Sequence, residues 1–272
     1  MKAILPYYGG KVQLSRELIQ YIPNHKHYIE VFAGGLSMFF RKQKTEWSAI
    51  NDLNRDIANF WLVVGDKYLF EQFTRKVYYA SKSRLYYEQI KENIRSDRWF
   101  ALPDVDRAFM YYFFIRNSFN AQINSAFSKD VAGWTTHLEQ VLRDAAVKFD
   151  GVIVENMDYK KLVDKYKEKS NAFWYLDPPY TMADKESYYG INFMESEHAI
   201  MRTKMQRLHE NPSKPNIMIS YDNSNEVKRL YDGWYFTEIT VKYAGRVTNQ
   251  DKEDIELVIT NFEPKKPQET LF

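Results

Sequence analysis

Four short stretches of the chain combine residue types and spacings that could do chemistry. The first is Asp177-Pro178-Pro179-Tyr180, which follows an apolar run at 172–176. Two consecutive prolines fix the backbone and remove two N–H donors. The Asp177 carboxylate and the nearby carbonyls are then left as a rigid set of acceptors. Such a set suits an exocyclic amino group, which has two N–H bonds to place, and Tyr180 offers a flat face for a planar base. The second stretch is Glu30-Val31-Phe32-Ala33-Gly34-Gly35, an apolar run entering a glycine turn, the form of a nucleotide-binding loop. Asp52 is the third. It ends the next apolar run, where a carboxylate can accept hydrogen bonds from ribose hydroxyls. The fourth is Pro6-Tyr7-Tyr8-Gly9-Gly10-Lys11: two glycines let the backbone approach a ligand, and Lys11 can pair with a carboxylate. Taken singly, the glycine loop and Asp52 are also what ordinary turns and helix caps look like. The Asp-Pro-Pro-Tyr segment at a strand end is the strongest of the four.

These residues need elements to position them. Apolar spacing predicts helices at 12–22, 36–41 and 56–64, and strands at 28–32 and 47–50. From 67 to 148 the periodicity is helical, with segments at 68–79, 84–94, 104–115 and 137–149 and a long polar loop at 117–134. Alternation then resumes. Strands are predicted at 152–155, 172–176 and 216–220, helices at 158–166 and 195–210, and two closing antiparallel strands at 235–243 and 255–260. Alternating strands and helices imply right-handed crossovers and a parallel sheet that binds ligands at its carboxyl edge. The pattern is an α/β sheet domain, 1–66 and 149–262, split by a helical insert, 67–148. The polar, proline-containing tail, 263–272, is expected to be disordered. Within the insert, Tyr111, Tyr112, Phe113 and Phe114 read as core.

Composition removes several alternatives. The 272 residues include no Cys, which excludes disulfides, thiolate metal sites and cysteine nucleophiles, and only five His, too few for an obvious metal cluster. No metal is therefore expected. Aromatic residues are abundant (21 Tyr, 18 Phe and 6 Trp), enough for a core and for stacking surfaces. The net charge is only +2, but ten basic and five acidic residues fall between Arg75 and Lys129, interleaved with aromatics such as Trp99 and Phe119. That suits a surface facing nucleic acid. No membrane span and no secretory leader are expected, so the predicted compartment is the cytoplasm.

The ordered set of motifs resembles the Dam-like family of DNA adenine methyltransferases over nearly the whole chain. The resemblance rests on Tyr-Gly-Gly-Lys, the Phe-Ala-Gly-Gly loop, Asp52, the insert, Asp-Pro-Pro-Tyr, and the closing stretches at 243–246 and 256–261. It implies a Rossmann-like methyltransferase sheet with antiparallel C-terminal strands and a helical target-recognition insert. It also implies methyl transfer from S-adenosyl-L-methionine to the exocyclic amino group of an adenine flipped out of duplex DNA. By the same resemblance, Tyr7, Lys11, Phe32, Gly34, Gly35, Asp52, Asp158 and Asp177 hold the donor. Asp177 and the backbone of Pro178 accept from the target amino group, and Tyr180 stacks on the base. Rival substrates for such a site are RNA and protein glutamine, and a catalytically inactive DNA-binding protein on the same scaffold is a further alternative.

The chain departs from the family pattern in three places. Tyr7 stands where Trp is usual, and Leu36 where a further glycine is usual. In the insert, Arg116-Asn117-Ser118-Phe119-Asn120 resembles the family's Arg-x-x-x-Asn segment and implies DNA contacts. However, Asn124 occupies the position where GATC-specific members carry a guanine-reading Arg. Arg reads guanine and Asn suits adenine, so GATC is not the expected site. Separately, Gln268, Leu271 and Phe272 resemble the short peptide by which bacterial replication and repair proteins dock on the sliding clamp. Restriction-modification, phage protection and chromosome marking are all compatible roles in a bacterial or phage-infected cell.

Overall fold

The computed structural model describes residues 4–6, 11–96, 100–122, 125–130, 133–135, 137–179, 195–242 and 253–265. Its strands are β1 (His27–Glu30), β2 (Trp47–Asn51), β3 (Val152–Glu155), β4 (Ala172–Leu176), β5 (Asn216–Asp222), β6 (Tyr235–Lys242) and β7 (Glu253–Thr260). They form one sheet in the order β3-β2-β1-β4-β5-β7-β6. The first five strands are parallel, and β7 runs antiparallel between β5 and β6. The antiparallel finish is the one the strand pattern predicts, and the order is that of the Rossmann-like methyltransferase sheet the resemblance implies. The chain builds outward from β1 to β3, then returns to β4 on the other side. The switch opens a crevice between the carboxyl ends of β1 and β4.

Alternate strand residues feed two cores. On one face Ile29, Val31, Trp174, Leu176, Ile217 and Ile259 pack with α7 (Tyr159–Tyr166), α8 (Glu195–His209) and α9 (Asn225–Leu230). On the other, Tyr28, Ile50, Phe173, Tyr175 and Met218 join a core that runs on into the helical insert. This second face carries α1 (Leu14–Leu18), α2 (Arg55–Gly65), α3 (Lys67–Tyr79), α4 (Arg84–Arg95), α5 (Val105–Asn117) and α6 (His137–Lys148). The helix α5 buries Tyr111 to Ile115 on every side, as a helix apolar all round must, and packs on α2, α3 and α4. Arg107 on α5 makes a bidentate pair with Asp56 on α2, at 2.6 and 2.9 Å, tying the two helices together.

Two local expectations differ from the structure. Residues 36–42 form successive turns rather than an α-helix, with Phe40 N on the Leu36 carbonyl at 3.1 Å and Lys42 N on Met38 at 3.0 Å. The cause lies at both ends of the segment: Leu36 takes φ 55°, and the Glu30 carboxylate captures Phe39 N at 3.1 Å. The short helix α9, capped by Ser224, was not expected from the pattern. Among the described residues no helix is long and apolar enough to cross a membrane.

Candidate active site

The crevice collects the sequence candidates because each follows a parallel strand at its carboxyl end. Gly34 and Gly35 follow β1, Asp52 follows β2, Asp158 lies just past β3, and Asp177 follows β4. Asp177 sits with its side chain 23% exposed, and its Oδ1 is 4.0 Å from Lys11 Nζ. Lys11 is itself buried and pairs at 3.2 Å with Glu256 Oε1. Behind them, Ser220 Oγ lies 3.4 Å from Asp177 Oδ1 and 2.7 Å from the Tyr175 hydroxyl. Pro178 is buried.

Burial sets the electrostatics of this group. It pushes Asp177 up to about 6, with Lys11 pulling down and Glu256 pushing further up. Burial also pushes Glu30, the last residue of β1, up to about 8, against the hydrogen bonds that Tyr28 and Phe39 donate to it. Asp177 raises Glu30 further, while the Lys42 ammonium pulls it down.

Asp52 is likewise raised to about 6 by burial, although its Oδ2 accepts from Gly34 N at 2.9 Å and its Oδ1 from Asn54 N at 2.8 Å. The first of these bonds fastens the glycine turn to the end of β2. Gly34 takes φ 45°, and its carbonyl accepts from the buried indole of Trp61 at 2.9 Å. Leu36, at φ 55°, occupies a backbone region where glycine would be free of strain. Phe32 packs against Tyr159 with ring centroids 5.9 Å apart.

The donor set matches the chemistry of S-adenosyl-L-methionine. A buried ammonium suits a carboxylate, an acceptor at the glycine turn suits ribose hydroxyls, and an acidic crevice suits a sulfonium cation. The grooves of about 640 and 460 Å³ found among the described residues lie instead on the insert, around Tyr78 and Tyr79. Among the described residues no cluster of His, Asp or Glu could hold a metal ion.

Asp158 also serves its own helix, and the insert candidates lie apart from the crevice. Asp158 caps α7 by accepting from Lys160 N at 2.8 Å, and its carboxylate lies 3.6 Å from Lys160 Nζ. Asn117 is fully buried, so its side chain does not face a ligand. It accepts from Lys82 Nζ at 2.9 Å and donates to the Phe113 carbonyl at 2.8 Å, and so braces the loop from within. Arg116 donates to the Ile4 carbonyl at 2.7 Å and lies over the Tyr112 ring. Asn120 is exposed at φ 54°, a conformation Asn tolerates, beside exposed Phe119. Tyr7, Tyr180, Asn124, the 243–246 stretch and the tail residues Gln268, Leu271 and Phe272 lie outside the described residues.

Sequence reasoning gave no role to Ser220, and named Glu30 and Glu256 only as members of longer stretches. Glu256 reaches the crevice only because β7 runs backwards, which brings the start of that strand opposite Asp222 at the carboxyl end of β5. An acidic residue interrupting the apolar run 255–259 was the available signal.

A family model for D12 class N6 adenine-specific DNA methyltransferases matches residues 7–246. The Type II methyltransferase M1.LlaDCHI of Lactococcus lactis subsp. cremoris is 22% identical over 271 residues, 93% of this chain and 93% of its own. The DNA adenine methylase of Haemophilus influenzae is 22% identical over 282 residues, 97% of this chain and 95% of its own. A SAM-dependent methyltransferase structure from Agrobacterium tumefaciens is 9% identical with a TM-score of 0.40, covering 93% of this chain and 61% of that one, too distant to bear on the fold. With the family model spanning 7–246, the chain belongs to the D12 class of N6 adenine-specific DNA methyltransferases, enzymes that methylate adenine in DNA with S-adenosyl-L-methionine as donor.

Proposed function

We propose that Asp177 and the Pro178 carbonyl accept the two amino N–H bonds of a flipped adenine, with Tyr180 stacked on the base. The observation that carries this is the partly buried Asp177 carboxylate beside buried Lys11 at the switch-point crevice. Flipping is needed because the amino group is otherwise paired within the duplex, and stacking together with the acceptor pair offsets its cost of a few kcal/mol. Accepting both N–H bonds favours a pyramidal nitrogen with a localised lone pair. S-adenosyl-L-methionine, when bound, supplies an electrophilic methyl group. Lys11 holds Asp177 ionised and offers its charge to the donor's carboxylate. Asp52 takes the ribose hydroxyls, while Phe32, Gly34 and Gly35 form the wall beneath. Tyr7 and Asp158 complete the donor pocket. Positioning and electrostatics supply the rate.

The test is Asp177→Ala. Removing a preorganised acceptor should cost on the order of 3 kcal/mol or more in the transition state while circular dichroism stays native. Activity within a few-fold of wild type would sink the assignment.

The division into 1–66 plus 149–262 for catalysis and 67–148 for target recognition accompanies this reading. Arg116, Asn120 and Asn124 are the DNA-facing members of the insert, and Asn117 supports them from inside. The reading predicts methylation at a site other than GATC, which sequencing of adenine methylation in cells expressing the chain would reveal. Gln268, Leu271 and Phe272 are assigned to a bacterial sliding clamp, which would raise local concentration on DNA. Full-length chain should bind purified clamp, and a chain truncated after Pro264 should not. Equal binding by both removes the clamp from the account. DNA as substrate suits the cytoplasm of a bacterial or phage-infected cell, and the Type II name of one relative favours a restriction-modification setting.

A further inference from the structure

We propose that Asn51 is the positioning residue that sets the spacing of the donor-binding turns. The proposal rests on the placement of the donor along β1 to β3. Asn51 ends β2, and its side chain is 2% exposed. The amide nitrogen donates to the Val31 carbonyl and to the Met157 carbonyl, each at 3.0 Å. The amide oxygen accepts from Met157 N at 3.0 Å. The Asn51 backbone carbonyl accepts from Ala33 N at 2.8 Å.

The partners decide the meaning of these bonds. Val31 leads into Phe32, Gly34 and Gly35, Met157 leads into Asp158, and Asn51 itself precedes Asp52. Where the three strands end, the sheet ladder no longer holds their turns in register. Buried carbonyls and N–H groups there must find partners or cost free energy. One planar primary amide offers two donors and an acceptor at fixed angles, which serves all three turns at once. The reversed amide orientation would set an oxygen against two carbonyls, so the partners fix the orientation. Asp has the same shape but would face two carbonyls with acceptors. Ser is too short to span the three turns, and Gln carries its amide one carbon too far.

The experiment compares Asn51→Asp and Asn51→Ser with two controls in the full-length enzyme. Losing the ties should raise the donor's KM about tenfold or more, the fold-change expected for an unpaired buried group. The kcat at saturating donor and the Kd for DNA should move far less. Leu208→Ala, at a buried site near the end of α8, should lower Tm with the donor's KM unchanged, so a merely structural loss is distinguished. Asp52→Ala reports on the donor site itself. If Asp52→Ala raises the donor's KM and the folded Asn51 variants do not, the inference about Asn51 is overturned. If Asp52→Ala leaves it unchanged, the donor placement fails and the inference falls with it. Should Asn51→Asp not fold, Asn51→Ser gives the same comparison.

Discussion

Replacing Glu256 with Gln should carry the acid limb of methyl transfer to lower pH. Asp177 must be ionised to accept from the amino group, and burial together with Glu256 holds it up near 6. Its activity is therefore lost as pH falls through about 6 in the wild type. The two carboxylates share one ammonium, at 4.0 and 3.2 Å. That bounds their separation at about 7 Å, where like charges at an effective dielectric constant of about 20 repel by about 2 kcal/mol. Removing that repulsion should lower the midpoint by roughly 1.5 pH units. Lys11 acts in the same direction, because of the two carboxylates only Asp177 then remains to it. Gln keeps an oxygen for the Lys11 ammonium, so the packing of β7 is preserved. The assay is kcat/KM for a DNA oligonucleotide between pH 5 and 9 at saturating donor, which reports the titration of the essential carboxylate. Saturating donor also suppresses the titration of Asp52, whose raised value owes nothing to Glu256. A limb that stays near 6, or rises, would refute the electrostatic account of the cluster.

Three further outcomes are expected, each read by urea unfolding. Glu30 binds its proton up to about pH 8 when folded but only to about 4.5 when unfolded. Stability therefore falls as pH rises through that window, by up to about 1.4 kcal/mol per pH unit from Glu30, and because Asp52 and Asp177 add their own slope only up to about 6, Glu30→Gln should flatten the curve between about pH 6 and 8. No difference in slope between the two proteins would contradict the burial argument. Leu36→Gly relieves about 1–2 kcal/mol of backbone strain but forfeits a buried leucine worth about 2–5 kcal/mol, so the variant should be less stable. A stabilised variant would mean that strain, not burial, dominates the turn. Asp56→Ala leaves Arg107 buried without its carboxylate between α2 and α5, a loss of about 3–5 kcal/mol. A loss below about 1 kcal/mol would show that the insert does not depend on this pair.

The sequence alone determined most of the secondary structure. Period and punctuation are local, so β4 at 172–176 and the insert helices could be read from residue types before any packing was known. It also placed Gly34, Gly35, Asp52 and Asp177 at strand ends, because each follows an apolar run directly. Tertiary structure decided what lies far apart in the chain. Glu256 and Lys11 are separated by 245 positions and meet only because β7 enters the sheet reversed. The turns at 36–42 lost their helix to a carboxylate from β1, a competitor that local propensity does not contain. Asn117 carries the residue type of a DNA contact, yet it is spent on Lys82 and the end of α5. Asn51 looked like the close of a strand until Val31 and Met157 were brought to it. In each case a side chain's chemistry was legible in the sequence, while its partner was chosen by the order of strands in the sheet.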